Sequence, residues 1–136
     1  KTRSGKIMRR ILRKVAEGMA TKVKLEPCGL DKDKKAACLS YIPQIKVGGN
    51  GVAGPTFVDN AAFRKYAWDV FKADSLDMES SAVAHVCYSN KVPFLIFRSL
   101  SDLAGGGKQA NEIGIFFQVA ATNSANVLLA FLEAWK

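Results

Sequence analysis

Between Ser75 and Asp102 the chain alternates in a way that few folds accommodate: a short run, an acid, a helix-patterned stretch, an apolar run and a second acid. Val92 to Phe97 is long enough for a buried strand and too short for a stable helix. Before it, Ser80 to Ser89 reads as a helix with Ala82, Val83, Val86 and Cys87 along one face. Ser75 to Met78 is a shorter strand candidate, inferred mainly from its place before that helix. Strand, helix and strand within about 30 residues form a βαβ unit, whose crossover makes the two strands parallel. Glu79 and Asp102 then both fall just past the carboxyl ends of their strands. In open α/β sheets that edge is where ligands bind. Two carboxylates in one crevice can divide the work, one accepting from hydroxyls and the other donating a proton. The competing structural reading is that acids gather at helix N-termini because the helix dipole favours them there.

A chain of 136 residues is one domain at most. No apolar stretch is long enough to span a membrane. The net charge of +8 is concentrated rather than spread. Residues 1–24 hold nine Lys/Arg and one acid, whereas residues 25–136 hold eleven of each sign. The neutral remainder argues against a phosphate-binding face and hence against a specific nucleic-acid partner. A single His and three Cys rule out a zinc cluster, and no metal or cofactor motif is present. Cys87, on the apolar face of its helix, reads as core. Cys28 and Cys38 flank a short polar loop; a disulfide in an oxidising compartment and two free thiols both stay open. No secretory signal is visible, and the chain begins with Lys, so it reads as a fragment or a processed form.

Residues 1–20 read as a basic amphipathic helix. Ile7, Met8, Ile11, Leu12, Val15 and Met19 form one stripe, and Arg9, Arg10, Arg13 and Lys14 the other. Such a helix is solvated or binds anionic surfaces weakly. Thr21–Glu26 and Tyr41–Val47 are strand candidates, the second an edge because of Pro43. Gly48–Gly51 is a turn-rich break, and Val52–Val58 is a short strand or loop. Asp59 or Asn60 caps a helix to about Phe71, with Phe63, Ala67, Val70 and Phe71 as its apolar positions. Arg98, in a predicted buried strand, needs a carboxylate partner. His85 reads as a packing or surface residue. Gly105–Gly107 and Lys108 lack the spacing of a phosphate loop and read as a mobile segment or a lid. The closing helix runs from about Asn111 to Trp135 and buries Ile115, Phe116, Val119, Ala120, Val127, Leu128 and Phe131.

Two stretches carry a resemblance to a known family. They are Asp77-Met78-Glu79-Ser80-Ser81-Ala82-Val83-Ala84-His85-Val86-Cys87, and Val92-Pro93-Phe94 continuing to Arg98-Ser99-Leu100-Ser101-Asp102. Through them residues 41–135 resemble the C-terminal half of the nucleoside phosphorylase/nucleosidase superfamily, particularly its 5′-methylthioadenosine/S-adenosylhomocysteine nucleosidase branch. The Leu25–Cys38 loop and the Ser-Asp-Leu-Ala-Gly-Gly ending are similar to plant members, including bark storage proteins. The resemblance implies an α/β fold: part of a three-layer α/β/α sandwich with a mixed sheet, residues 21–136 forming its C-terminal half and the N-terminal half missing. It also implies cleavage of the N-glycosidic bond of a purine nucleoside by water or phosphate, without a cofactor.

In that reading Glu79 accepts from the ribose hydroxyls and Met78 packs against the sugar. Asp102 protonates purine N7 with Ser101 assisting, Phe57 stacks on the base, and the Val58 backbone reads its edge. The family pattern often has Gly-Asp before the purine-lining Phe, where this chain has Gly54-Pro55-Thr56-Phe57. Family members commonly assemble, so the partners implied are the nucleoside and further copies of the chain. A half-domain would expose an unpaired sheet edge and part of its core. The alternative is a non-enzymatic storage or binding protein on the same fold. Separately, Lys1 to Lys14 resemble the C-terminal tail motif of acetyl-CoA synthetases, in which the position of Lys6 contacts the acyl-adenylate. The adenylate-forming body is absent, so the chain reads as a junction of two gene fragments, or as a mispredicted or engineered fusion.

Overall fold

The computed structural model describes residues 3–30, 35–39, 41–106 and 113–136. The basic segment forms α1, Arg3–Ala20. Its apolar stripe turns toward the C-terminal helix α4, Ile113–Ala134. Met19 is buried there, Leu12 and Val15 are half-buried, and Ile11 stays exposed. Arg13 and Glu17, one turn apart, form an exposed ion pair at 2.7 Å. On α4 the buried positions Val119, Ala120 and Phe131 lie on the predicted stripe, with Phe116 and Val127 half-buried. Leu128 departs from it and is exposed. Phe131 packs edge-on against Phe97, with ring centroids 5.1 Å apart. The side chains of Lys6, Ile7, Met8 and Ile115 lie outside the described set, as do Gly107, Lys108 and Asn111.

The segment Thr21–Glu26, a strand candidate in the sequence, does not form a strand. Residues 21–26 pair with no strand among the described residues, and a side chain takes the place of one. Asn123 lies within the apolar stripe of α4 and is 5% exposed. Its Oδ1 accepts from the Glu26 N–H at 2.8 Å, and its Nδ2 donates to the Glu26 carbonyl at 2.9 Å. One buried amide thus satisfies both backbone groups of Glu26, as a neighbouring strand would. Next come β1, Cys28–Leu30, and β2, Ala36–Cys38, paired antiparallel with Cys28 opposite Cys38. The two cysteines are joined in a disulfide, and Cys87 is free and half-buried. The hairpin seats on α4 at Gly29. A Cβ at that position would lie 2.3 Å from Val119 Cγ2, so only glycine permits this approach.

A second, separate sheet pairs β3, Gly51–Ala53, with β4, Ser75–Asp77, in parallel. Between them runs α2, Ala61–Phe71. Asn60 caps it, its side chain accepting from the Phe63 N–H at 2.9 Å. Lys72, in the left-handed region at φ 53°, ends it. Of the four apolar positions predicted for α2 only Ala67 is buried, and Phe63, Val70 and Phe71 stay exposed. Asp74 locks the return: Asn50 N–H donates to its Oδ2 at 2.9 Å, its own N–H donates to the Asn50 carbonyl at 2.7 Å, and Lys46 pairs with its Oδ1. The helix α3, Ser80–Ser89, begins and ends where its pattern predicts. His85 on it is exposed.

The βαβ unit is therefore β3–α2–β4, one element earlier than the sequence pattern places it. Val92–Phe97 belongs to no sheet among the described residues, and neither does Tyr41–Val47. Strand pairing needs a neighbour, and β4 finds its neighbour in β3. Val92, Phe94, Leu95 and Ile96 consequently remain exposed. The whole chain leaves 10508 Å² accessible, against about 7,000 Å² for a compact monomer of this size. Described residues thus make a mixture of helix and strand with two small sheets rather than one closed layer.

Candidate active site

The β4–α3 corner is built around Asp77. Its side chain is 2% exposed, and its Oδ1 accepts from the Glu79 N–H at 3.0 Å and from the Ser80 N–H at 2.7 Å. These are two of the donors that a helix N-terminus leaves unpaired, so Asp77 caps α3 from outside it. Its carbonyl also accepts from the Gly54 N–H at 3.1 Å, which extends the β3–β4 pairing by one bond. Glu79, the residue at the helix start, makes no capping bond of its own. Its carboxylate instead pairs with Arg98, Oε2 to Nη2 at 2.5 Å. Arg98 Nε lies 3.6 Å from Asp77 Oδ2, so one guanidinium spans both carboxylates. The carboxylate partner that the sequence demands for Arg98 is present, although Arg98 sits in a non-strand segment.

From Arg98 the chain reaches the second acid. Ser101 Oγ donates to Asp102 Oδ1 at 2.7 Å. Beyond it, the glycine segment is anchored over its described part. Gly105 N–H donates to Asp59 Oδ1 at 2.7 Å, and the Arg64 guanidinium donates to the Ala104 carbonyl. Three stretches thereby converge: residues 57–60 ahead of α2, 77–80 at the β4–α3 corner, and 98–105. Every residue that the family resemblance singles out lies on one of them. Phe57, Met78, Glu79 and Asp102 are exposed, and Val58 and Ser101 are half-buried. Gly107 and Lys108, the rest of the expected mobile segment, lie outside the described residues.

Asp77, Asp59 and Arg64 escaped the sequence reading as site-building residues. For Asp77 the signal was legible: an Asp three residues before a helical Ser is an Asx-turn pattern. The other two are tertiary anchors with no local signature. Among the described residues, no three His, Cys, Asp or Glu side chains cluster closely enough to hold a metal ion. Nor is any helix there long and apolar enough to cross a membrane.

Among the described residues two carboxyls are perturbed. Hydrogen bonds from the Lys46 ammonium and the Asn50 N–H hold Asp74 below the usual range. For Asp77, burial pushes the carboxyl up, but bonds from Ser80 and Glu79 together with the charge of Arg98 outweigh it and leave it lowered. A carboxyl lowered by folding contributes stability above its unfolded value, about 4, and loses it as pH falls through the folded value. The unfolding midpoint in urea is therefore expected to be flat from pH 7 to about 5 and to fall below about pH 4. Asp74→Asn and Asp77→Asn should each flatten that acid limb; a limb unchanged in both variants would contradict the assignment.

Comparison with known proteins places these stretches in a wider context. The sequence profile described as Phosphorylase superfamily matches residues 21–133. A 5′-methylthioadenosine/S-adenosylhomocysteine nucleosidase of Staphylococcus carnosus is 33% identical over 109 residues, covering 76% of this chain and 47% of that protein. Proteins of the same name are similar in Halalkalibacterium halodurans, at 35% over 86 residues (60% of this chain, 35% of the relative), and in Tolumonas auensis, at 42% over 57 residues (42% and 24%). This chain thus spans between about a quarter and a half of the length of these curated relatives. No solved structure matches it.

Proposed function

The chain belongs to the Phosphorylase superfamily, and from that membership we propose that it carries the nucleoside-binding end of a purine N-glycosidase site. The observation that supports this most is the convergence of residues 57–60, 77–80 and 98–105 through Arg98, Asp77, Asp59 and Gly105. In this reading the exposed Glu79 carboxylate accepts from the ribose 2′- and 3′-hydroxyls, with one of its oxygens held by Arg98. Met78 lies under the sugar, Phe57 stacks on the base, and the Val58 backbone pairs with the base edge. Asp102 donates its proton to purine N7, and the Ser101 hydroxyl, bonded to that carboxyl, orients it.

Cleavage of the C1′–N9 bond leaves positive charge on the ribose and electrons on the departing base. Protonation at N7 takes up those electrons as the bond breaks, so the barrier falls where charge develops. Water attacks the anomeric carbon and sheds a proton to solvent, from which Asp102 regains the proton it gave to N7; phosphate attacks as an anion, and Asp102 is again reprotonated from solvent. The carboxylate of Glu79 also lies on the sugar side, where it opposes the growing positive charge. The likeness to nucleosidases favours a 5′-substituted adenosine and water.

The same reading extends to the fold. Residues 21–136 form one part of an α/β/α sandwich, and the exposed run Val92–Phe97 is a strand of its complete sheet, reached on assembly with further copies or with the rest of a family domain. Release of free base from 5′-methylthioadenosine by the purified chain, with and without phosphate, tests the reaction. Release without phosphate is the expected result. Release that needs phosphate would change the co-substrate, and no release from the folded chain would overturn the reading.

A further inference from the structure

Asp77 has a second oxygen that capping does not use. Its Oδ2 is buried, has no hydrogen-bond donor among the described residues, and lies 3.6 Å from Arg98 Nε. A capping residue alone needs neither that oxygen nor a charge, since an Asn would cap as well. A buried anionic oxygen without a donor is costly, and the charge of Arg98, 3.6 Å away at Nε, offsets part of that cost as an ion pair rather than a hydrogen bond. That attraction draws the planar Arg98 guanidinium toward the enclosed carboxylate and so favours one bearing for Nη2. Nη2 holds Glu79 Oε2 at 2.5 Å. The Asp77 side chain is almost fully enclosed, whereas that of Glu79 is 66% exposed. The enclosed acid is therefore the fixed end of the bridge and the exposed acid the adjustable one.

We propose that Asp77 is a positioning residue that, through Arg98, aims the Glu79 carboxylate at the hydroxyl pair of a ribose. The inference rests on the proposed nucleoside site and adds to it a residue that touches no substrate. Asp77 leaves one Glu79 oxygen committed to Arg98 and the other free to accept from a diol. Without the anchor, Arg98 follows Glu79 into solvent, and the carboxylate loses its bearing on the sugar.

The test uses the full chain in four forms: unaltered, Asp77→Asn, Glu79→Gln and the double variant. Asn retains the acceptor that caps α3, so the fold is kept while the anchor charge is removed. Calorimetric affinities are measured for adenosine and for 2′,3′-dideoxyadenosine, which lacks the hydroxyls. Asp77→Asn is expected to weaken adenosine by about 10- to 100-fold, the range for one charged hydrogen bond, and to change the dideoxy compound by less than about 2-fold. It should add nothing once Glu79 is Gln. Arg98→Lys, which keeps the charge and loses the rigid fork, should reproduce the pattern. Equal weakening of both ligands, or a full additional loss in the double variant, would overturn the proposal.

If the unaltered chain binds neither compound, the nucleoside reading fails, and the bridge is judged on the same four proteins by their urea midpoints. Non-additive shifts then support the Asp77–Arg98–Glu79 link, and additive shifts overturn it.

Discussion

Replacing Asp102 by Asn is expected to lower the rate of base release from 5′-methylthioadenosine by about 10²- to 10⁴-fold, with little change in KM. An amide of the same shape keeps an acceptor for the Ser101 hydroxyl, which donates to Oδ1 at 2.7 Å, so the loop has no reason to rearrange. What is lost is the transferable proton. A group that acts only as the C–N bond breaks contributes to kcat and not to ground-state binding. Ser101→Ala should cost less, because it removes the orienting bond and leaves the acid. A variant at Asp102 that raises KM while leaving kcat unchanged would assign this carboxylate to binding instead.

Gly105→Ala should destabilise the chain by about 2–5 kcal/mol in urea unfolding. Gly105 has φ +68°, and an added Cβ would lie 2.1 Å from the Ala61 nitrogen and 2.7 Å from the Ala61 Cα. Both obstacles are backbone atoms at the start of α2, so no rotamer change relieves them. The loop would have to lift, breaking the bond from Gly105 N–H to Asp59 and the bond from Arg64 to Ala104. Those bonds tie the Asp102 segment to the stretch that carries Phe57 and Val58. A nucleoside contacting both stretches should therefore restore part of the lost stability, since it binds the folded arrangement. A Gly105→Ala chain with an unchanged midpoint would show that this anchorage is absent in solution.

The sequence made some parts of this arrangement legible for physical reasons. Helix α3 follows from local pattern and from an Asp whose side chain can reach the first free N–H groups of the helix, and strand β4 from its place before that helix. Arg98 does have carboxylate partners, but the reason for expecting them, burial in a strand, does not hold, because its side chain is 41% exposed. Cys28 and Cys38 were open to pairing, and the two-stranded register that places them opposite one another is a tertiary fact. Val92–Phe97 finds no strand partner among the described residues for the same kind of reason. An apolar run states that a segment wants cover; it does not state which strand will lie beside it. The role of Asn123 was hidden because a mid-helix Asn looks like a solvent residue unless its position on the apolar stripe of Val119, Ala120 and Val127 is weighed. Asp59 reads as a helix-capping candidate, and Asn60 takes that task while Asp59 holds the distant Gly105.

The central claim is that Glu79 and its surroundings recognise a ribose. The most direct measurement is the affinity of the unaltered chain for adenosine beside 2′,3′-dideoxyadenosine, repeated with Glu79→Gln. Removing the hydroxyls is expected to cost the unaltered chain about 10-fold or more and Glu79→Gln almost nothing, because the carboxylate is what they pair with. Equal affinity for both nucleosides in the unaltered chain, or the same loss in both proteins, would contradict it.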